Sequence, residues 1–170
     1  MSVWRQLRTI VLLPGLALVV IPAALLILTG TFNPAWGLPG TARILLLTGG
    51  LLVLAGGLLV LGHAIYLFHA IGEGTLAPWD PTRRLVIAGL YRHVRNPMYV
   101  GVLLAALAEV ILAGAVWLAA WWAILVVGFN LFVRLYEEPH LRAQYGAEYA
   151  EFCANVPRWI PRLRPWQPDR

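Results

Sequence analysis

The chain of 170 residues is poor in charge and contains a single cysteine. Charged residues make up 12% of it and hydrophobic residues 60%, whereas about a quarter of a water-soluble domain is charged. One cysteine, Cys153, excludes an internal disulfide and any metal site built from several cysteines. Disorder is excluded too, because disordered chains are poor in apolar residues. A mean hydropathy of +0.73 indicates an integral membrane protein.

Long stretches without charge predict where the chain crosses the membrane, since a spanning helix needs about 20 apolar residues. The last stretch, from Arg95 to Arg134, contains only Glu109 and is interrupted by a glycine, Gly114. It is therefore interpreted as a hairpin. The prediction is an all-α bundle of about four transmembrane helices: Ile10–Leu28, Ile44–Phe68, Met98–Leu112 and Val116–Leu135. The third helix covers only about 22 Å, so we expect its neighbours to shield it from lipid.

Lysine is absent, and all thirteen basic residues are arginine. Four spans place the N-terminus, the segment 69–97 and the C-terminal tail on one side of the membrane. That side holds every arginine except Arg43, so the positive-inside rule makes it cytoplasmic. Anionic lipid headgroups account for the net charge of +5, and no nucleic-acid partner is needed.

The dipeptide Asn96-Pro97 predicts the start of the third span, because asparagine is a favoured N-cap and proline suits the first helical position. A helix start presents unpaired N–H groups and can bind an anion, to which Arg92 and Arg95 would add charge. The alternative is a plain helix start whose arginines extend to lipid headgroups. The pattern alone does not choose between these two readings.

Glu137 and Glu138 follow the fourth span, and Pro139 predicts a kink or a new helix after them. Residues 139–154 have the period of an amphipathic helix. Its apolar face consists of Leu141, Tyr145, Tyr149 and Phe152. The glutamates either belong to a site or form a solvated helix end, in which Glu138 would pair with Arg134.

Other signals are weaker. The spacing Glu137-x-x-His140 matches half of a di-iron site, but no second copy exists, and no metal is predicted. Glu109 lies within the membrane and is a functional candidate by default, although it can instead pair with Asn130 across the hairpin. A glycine-rich nucleotide fingerprint after a strand is absent, which excludes the dinucleotide-binding fold.

Between residues 72 and 158 several motifs keep a recognisable order and spacing. They are Gly72-x-Gly74-Thr75, Leu85-Val86-x-x-Gly89-x-Tyr91-Arg92-x-x-Arg95-Asn96-Pro97-Met98-Tyr99-x-Gly101, Glu137-Glu138-x-x-Leu141-x-x-x-Tyr145-Gly146-x-x-Tyr149 and Val156-Pro157-Arg158. This pattern resembles the isoprenylcysteine carboxyl methyltransferases and the wider group that includes phospholipid N-methyltransferases. Eukaryotic members carry His-Pro at this position, whereas bacterial relatives carry Asn-Pro, as this chain does at Asn96-Pro97.

The resemblance implies a methyltransferase of the bacterial inner membrane that uses S-adenosylmethionine and acts on a lipophilic, prenylated or lipid acceptor. It implies one structural domain, with two N-terminal spans in residues 1–70 and the cofactor region in 71–170. The cofactor-binding residues that it implies are Arg83, Arg84, Leu85, Val86, Tyr91, Asn96, Pro97, Met98, Tyr99 and Glu137. The residues that it suggests for catalysis are Arg134, Glu138 and Arg95.

Arg134 would hold a carboxylate acceptor, although the strict family spacing falls one residue earlier, at Val133. A lipid amine would instead need a base, either Glu137 or Glu138. Residues 139–154 are interpreted as a lid over the cofactor. Two rivals from other classes are a related sterol-type reductase, which uses a nicotinamide cofactor but needs many more spans, and a non-enzymatic membrane subunit or transporter.

Overall fold

The structure is a computed structural model that describes residues 14–72 and 85–167. Within these ranges the chain is helical and contains no strand, as its composition predicts. The helices are numbered in chain order as α1 Leu16–Thr29, α2 Gly40–Gly72, α3 Pro97–Ala113, α4 Val116–Phe132 and α5 Glu138–Asn155.

Among the described residues, two helical stretches are long and apolar enough to cross a membrane: α2, and the continuous run from α4 into α5. At 1.5 Å per residue α2 is about 50 Å long, which exceeds the hydrocarbon thickness of about 30 Å. Leu45, Leu52 and Leu59 follow one another at seven-residue intervals along α2, and all three are exposed. An exposed apolar stripe of this kind is suited to lipid. The other two predicted spans correspond to α1 and α3, which are apolar but shorter.

Helix boundaries agree with the charge pattern to within a few residues. The third predicted span gains one residue at each end, and the second gains four at each end. The predicted start of the first span, Ile10, lies outside the described residues. Its end is set by Gly30, which adopts a left-handed conformation with φ +61°.

Helix α3 is largely buried, as its short length predicts, and it packs closely on α2 through glycines. A Cβ atom on Gly57 would lie 2.7 Å from the backbone nitrogen of Ala105. One on Gly101 would lie 2.7 Å from the backbone nitrogen of Leu61. Glycine at both positions therefore allows the two backbones to approach each other directly.

The connection between α1 and α2 packs against the turn between α3 and α4. The backbone N–H of Asn33 donates to the carbonyl of Ala113 at 2.9 Å. Gly114 makes this turn with φ +59°, and a Cβ there would collide with the Asn33 carbonyl. Because both connections lie at one end of the bundle, the start of α3 and the end of α4 lie together at the other end.

Helix α4 leads into α5 through a π-helical turn, Val133–Glu137, which ends two residues before Pro139. The backbone stays helical here, so the predicted kink or new helix takes the form of a π-helical segment within one continuous run. Helix α5 changes direction at Gly146, where φ is +53° and ψ is −122°. Its predicted apolar face is confirmed. Tyr149 and Phe152 are buried, and the residues that pack against them include Leu141, Tyr145, Leu85, Ile87 and Trp166.

Candidate functional site

The segment that leads into α3 is held by the C-terminal tail, residues 156–167. The backbone N–H of Arg95 donates to the carbonyl of Pro157 at 2.9 Å, and that of Arg162 donates to the carbonyl of His93 at 2.9 Å. Pairing with the tail gives the segment a defined conformation although it lies outside the long helices. The tail therefore takes part in positioning whatever binds at the start of α3.

Asn96 occupies the N-cap position of α3, as predicted, but its side chain does not cap the helix. Its amide instead donates to the carbonyl of Arg158 at 3.1 Å. Asn96 is buried at 9% exposure, and Pro97 after it is among the most buried residues. The asparagine thus joins the helix start to the tail, and its side chain does not occupy the first N–H groups of α3.

Glu138 lies at the centre of a buried ionic cluster. Its carboxylate accepts two hydrogen bonds from the guanidinium of Arg158, at 2.7 and 2.8 Å, and a third from Arg95 at 3.0 Å. Arg95 also donates to the sulfur of Cys153. Burial opposes ionisation of Glu138, but the hydrogen bond from Arg158 and the charges of both arginines outweigh it and lower the pKa of this carboxyl. The alternative pairing of Glu138 with Arg134 is wrong.

Glu137, one residue earlier, has a different environment. Its carboxylate accepts a hydrogen bond from the hydroxyl of Tyr99 at 2.8 Å, which connects the end of the α4 segment to the first turn of α3. The ring of Tyr99 packs against Phe129, with ring centroids 4.8 Å apart. Burial raises the pKa of Glu137 despite the hydrogen bond from Tyr99, and the charge of Glu138 raises it further. The resemblance implies that the α3 start and this carboxylate bind one cofactor, and the structure brings the two together.

Three buried polar atoms in the segment before α3 have no hydrogen-bond partner among the described residues. They are the hydroxyl of Tyr91 and the Nε atoms of Arg92 and Arg95. Burial raises the pKa of Tyr91, and the charge of Glu137 adds to the increase. The Tyr91 hydroxyl is therefore a neutral donor close to a carboxylate. Unsatisfied buried groups are unusual, and these three, which all lie within residues 91–95, are candidate ligand contacts.

The other predicted site residues do not all lie together. Val86 is buried beside Tyr91, and Met98 packs against the same cluster. Leu85 instead packs on the apolar face of α5. Arg134 is exposed and forms no ion pair with a described residue. Two further candidates, Arg83 and Arg84, lie outside the described residues.

A family model described as phospholipid methyltransferase matches residues 44–148, which is more than half of the chain. The chain belongs to the phospholipid methyltransferase family. This family includes the isoprenylcysteine carboxyl methyltransferase type, so the resemblance of the motifs is confirmed. No curated protein and no solved structure matches the chain.

Membership in the phospholipid methyltransferase family makes the chain a membrane methyltransferase that uses S-adenosylmethionine. The residues at the start of α3 fit this cofactor chemically. The Glu137 carboxylate can accept from an ammonium or a ribose hydroxyl and offset positive charge. The unpartnered groups of Tyr91, Arg92 and Arg95 are donors that a carboxylate or a hydroxyl of the cofactor would satisfy.

Sequence reasoning missed two parts of this arrangement. Arg158, which the sequence marks only as part of the Val156-Pro157-Arg158 motif, is the main partner of Glu138. The position of an arginine directly after a valine-proline pair was the available signal. The second omission is an apolar cavity beside Tyr99, which sequence could not indicate because its walls come from four helices.

Proposed function

We propose that the chain transfers a methyl group to a lipophilic acceptor held in the bilayer, and that the cofactor binds where α3 begins. The observation that carries the proposal is the hydrogen bond between Tyr99 and Glu137 beside the unpartnered hydroxyl of Tyr91. A carboxylate, a phenol and a helix N-terminus that lie close together support the binding of one small molecule there. The arginine distribution supports a site on the cytoplasmic side.

When bound, S-adenosylmethionine supplies a methyl group on a sulfonium sulfur, which a nucleophile can displace directly. The residues of the chain then have two tasks, alignment and exclusion of water. Glu137 holds one polar end of the site through its bond to Tyr99, while buried Val86 and Met98 form apolar surroundings. A metal is not required for such a displacement.

The acceptor that we propose first is a carboxylate on a prenylated group, as in isoprenylcysteine carboxyl O-methylation. A carboxylate is already a nucleophile at neutral pH and needs no base. Arg134, exposed three residues before Glu137 and without an ion pair to a described residue, is the cation that would attract it. In this reading Arg95 and Glu138 have a structural role, because they form an ion pair with each other.

A lipid amine is the second candidate, and the description of the matched family favours it. An amine must lose a proton, so a base is needed. Glu137 suits this role better than Glu138. Burial raises the pKa of Glu137, whereas two arginines lower the pKa of Glu138 and occupy its oxygens. A phospholipid or other small lipophilic amine or thiol therefore remains the alternative acceptor.

The identity of the methyl acceptor is tested by supplying membranes that contain the protein with radiolabelled S-adenosylmethionine. N-acetyl-S-farnesylcysteine serves as the carboxylate probe and phosphatidylethanolamine as the amine probe. Alkali releases the label as methanol from a methyl ester but not from an N-methyl group, so the product identifies the acceptor. Absence of label in both probes and in all extracted lipids would contradict the proposal.

The cofactor site is tested by calorimetry with S-adenosylmethionine on the detergent-solubilised protein. Glu137→Ala and Tyr99→Ala should each weaken binding at least tenfold, about 1.4 kcal/mol, because each removes one partner of the central hydrogen bond. Glu148→Ala is the matched control, since Glu148 lies exposed on α5. Equal affinities in all three variants would refute the assignment.

A further inference from the structure

A cavity of about 440 Å³ lies between α1, α2, α3 and α4. Its walls are almost entirely apolar, and they include Leu61, Val102, Leu125 and Phe129. The cavity is not enclosed, because some of its lining residues, among them Leu16 and Gly128, are exposed at the helix surface. An apolar recess of this volume is a candidate binding site.

The cavity is continuous with the proposed methyl-transfer site. Tyr99 forms part of its wall, and the hydroxyl of the same residue bonds to Glu137. Along α4 the lining extends from Phe132, near this pair, to Trp121. Eleven residues at 1.5 Å each give a depth of about 16 Å, directed towards the middle of the membrane.

Trp121 forms the inner end of the cavity. Its indole N–H donates to the carbonyl of Ala17 at 2.9 Å, which fixes the ring across the space between α1 and α4. Beyond it lies a packed cluster that includes Leu118, exposed at only 2%, and Val110. A molecule that enters beside Tyr99 thus meets a defined end at Trp121.

Gly128 leaves the middle of the cavity open. It lines the wall on α4, and a Cβ added there would have no atom within 4 Å. A charged cofactor or head group cannot occupy such apolar surroundings without a large desolvation cost. A hydrocarbon chain can, since each buried methylene contributes about 0.8 kcal/mol.

We infer that this cavity binds one hydrocarbon chain of the methyl acceptor, that Gly128 provides the room for it, and that Trp121 sets the longest chain accepted. The inference rests on the proposed function, because it assumes that the acceptor reacts beside Tyr99. It adds a determinant of chain-length specificity that lies far from the reacting groups.

Three variants test the inference. Gly128→Leu fills the cavity, Trp121→Ala lengthens it, and Gly62→Leu is the control. Like Gly128, Gly62 is an exposed helical glycine with open space around it, but it lies on α2 and does not line the cavity. Unchanged affinity for S-adenosylmethionine in each variant shows that the fold is intact.

The first measurement is methyl transfer to two series of probes of increasing chain length, S-alkyl N-acetylcysteines and lysophosphatidylethanolamines. Gly128→Leu should lower transfer to the long-chain probes at least tenfold through KM. Trp121→Ala should move the preferred length upwards, and Gly62→Leu should match the wild type. An unchanged chain-length profile in both cavity variants would overturn the inference.

The second measurement does not depend on methyl transfer. Stearic acid brominated near its methyl end should quench the fluorescence of Trp121, identified as the difference from Trp121→Phe. Gly128→Leu should abolish this quenching. Quenching that survives in Gly128→Leu overturns the inference.

Quenching without transfer to any probe leaves the cavity assignment in place and refutes the proposed function. Quenching lost in Gly128→Leu with an unchanged chain-length profile means that an ordinary membrane lipid fills the cavity, which also overturns the inference.

Discussion

Removal of the Glu138 carboxylate should destabilise the protein more than any exposed acidic substitution. Glu138→Ala deletes three charge-assisted hydrogen bonds and leaves two arginines without their anion. Breaking a buried ion pair typically costs about 3–5 kcal/mol. The side chains of Arg95 and Arg158 retain 11% and 22% exposure, so water offsets part of the loss. We therefore expect a cost near the lower limit, about 3 kcal/mol.

The single thiol of Cys153 provides the assay. It lies in contact with Arg95, so opening of the ionic cluster exposes it to a thiol-reactive fluorophore during heating. For a chain of this length, about 3 kcal/mol corresponds to a decrease in Tm of about 6–12 °C. Glu148→Ala, an exposed position on the same helix, should melt like the wild type. A Tm of Glu138→Ala within about 1–2 °C of that control would be no larger than the effect of an ordinary surface substitution. That result would show that the ionic cluster does not stabilise the position of the tail.

The same cluster has a defined pH dependence. Because the pKa of Glu138 is lowered in the folded protein, its stabilising effect is present above the pKa of an unfolded glutamate. The effect is lost as the pH falls through the lowered folded pKa. The difference in Tm between the wild type and Glu138→Ala should therefore be constant at neutral pH and shrink in acid. A double variant with Arg158→Ala should cost less than the sum of the two single variants.

Two further outcomes are expected. Gly57→Ala should lower the free energy of unfolding by about 1–3 kcal/mol, because the new Cβ meets the α3 backbone, whereas Gly56→Ala, which faces open space, should be neutral in the same thermal assay. Affinity for S-adenosylmethionine should fall when the pH is lowered, and the fall should begin at a higher pH than for a glutamate of ordinary pKa, because burial raises the pKa of Glu137. Calorimetry across pH checks this, and a Glu137→Gln variant with the same pH profile as the wild type would contradict it.

The helices of this protein were predictable because lipid imposes a simple rule on sequence. A segment that crosses hydrocarbon must be uncharged and long, so the charged residues mark where spans end. Pro97 and Gly114 mark the ends of α3 for local reasons, namely a missing N–H and a left-handed turn. These signals act within a few residues and require no knowledge of the neighbours.

The site was only partly predictable for the same reason. The residues Tyr99 and Glu137 were chosen through motif resemblance, and the structure brings them together across 38 positions of sequence. Helical periodicity alone does not show which of two adjacent glutamates meets the tyrosine, because one residue turns a helical side chain by about 100° and the π-helical turn changes that angle again. Glu138 consequently meets the arginines instead.

Sequence alone determined that this chain is a helical membrane protein, where its spans end, and to which family its motifs belong, because composition and local spacing carry that information. Tertiary structure alone decided that the C-terminal tail supports the start of α3 through Arg158, that glycines bring α2 against α3, and that an apolar cavity lies beside Tyr99. Those features arise from surfaces contributed by distant segments. A free volume between helices has no residue of its own to mark it in the sequence.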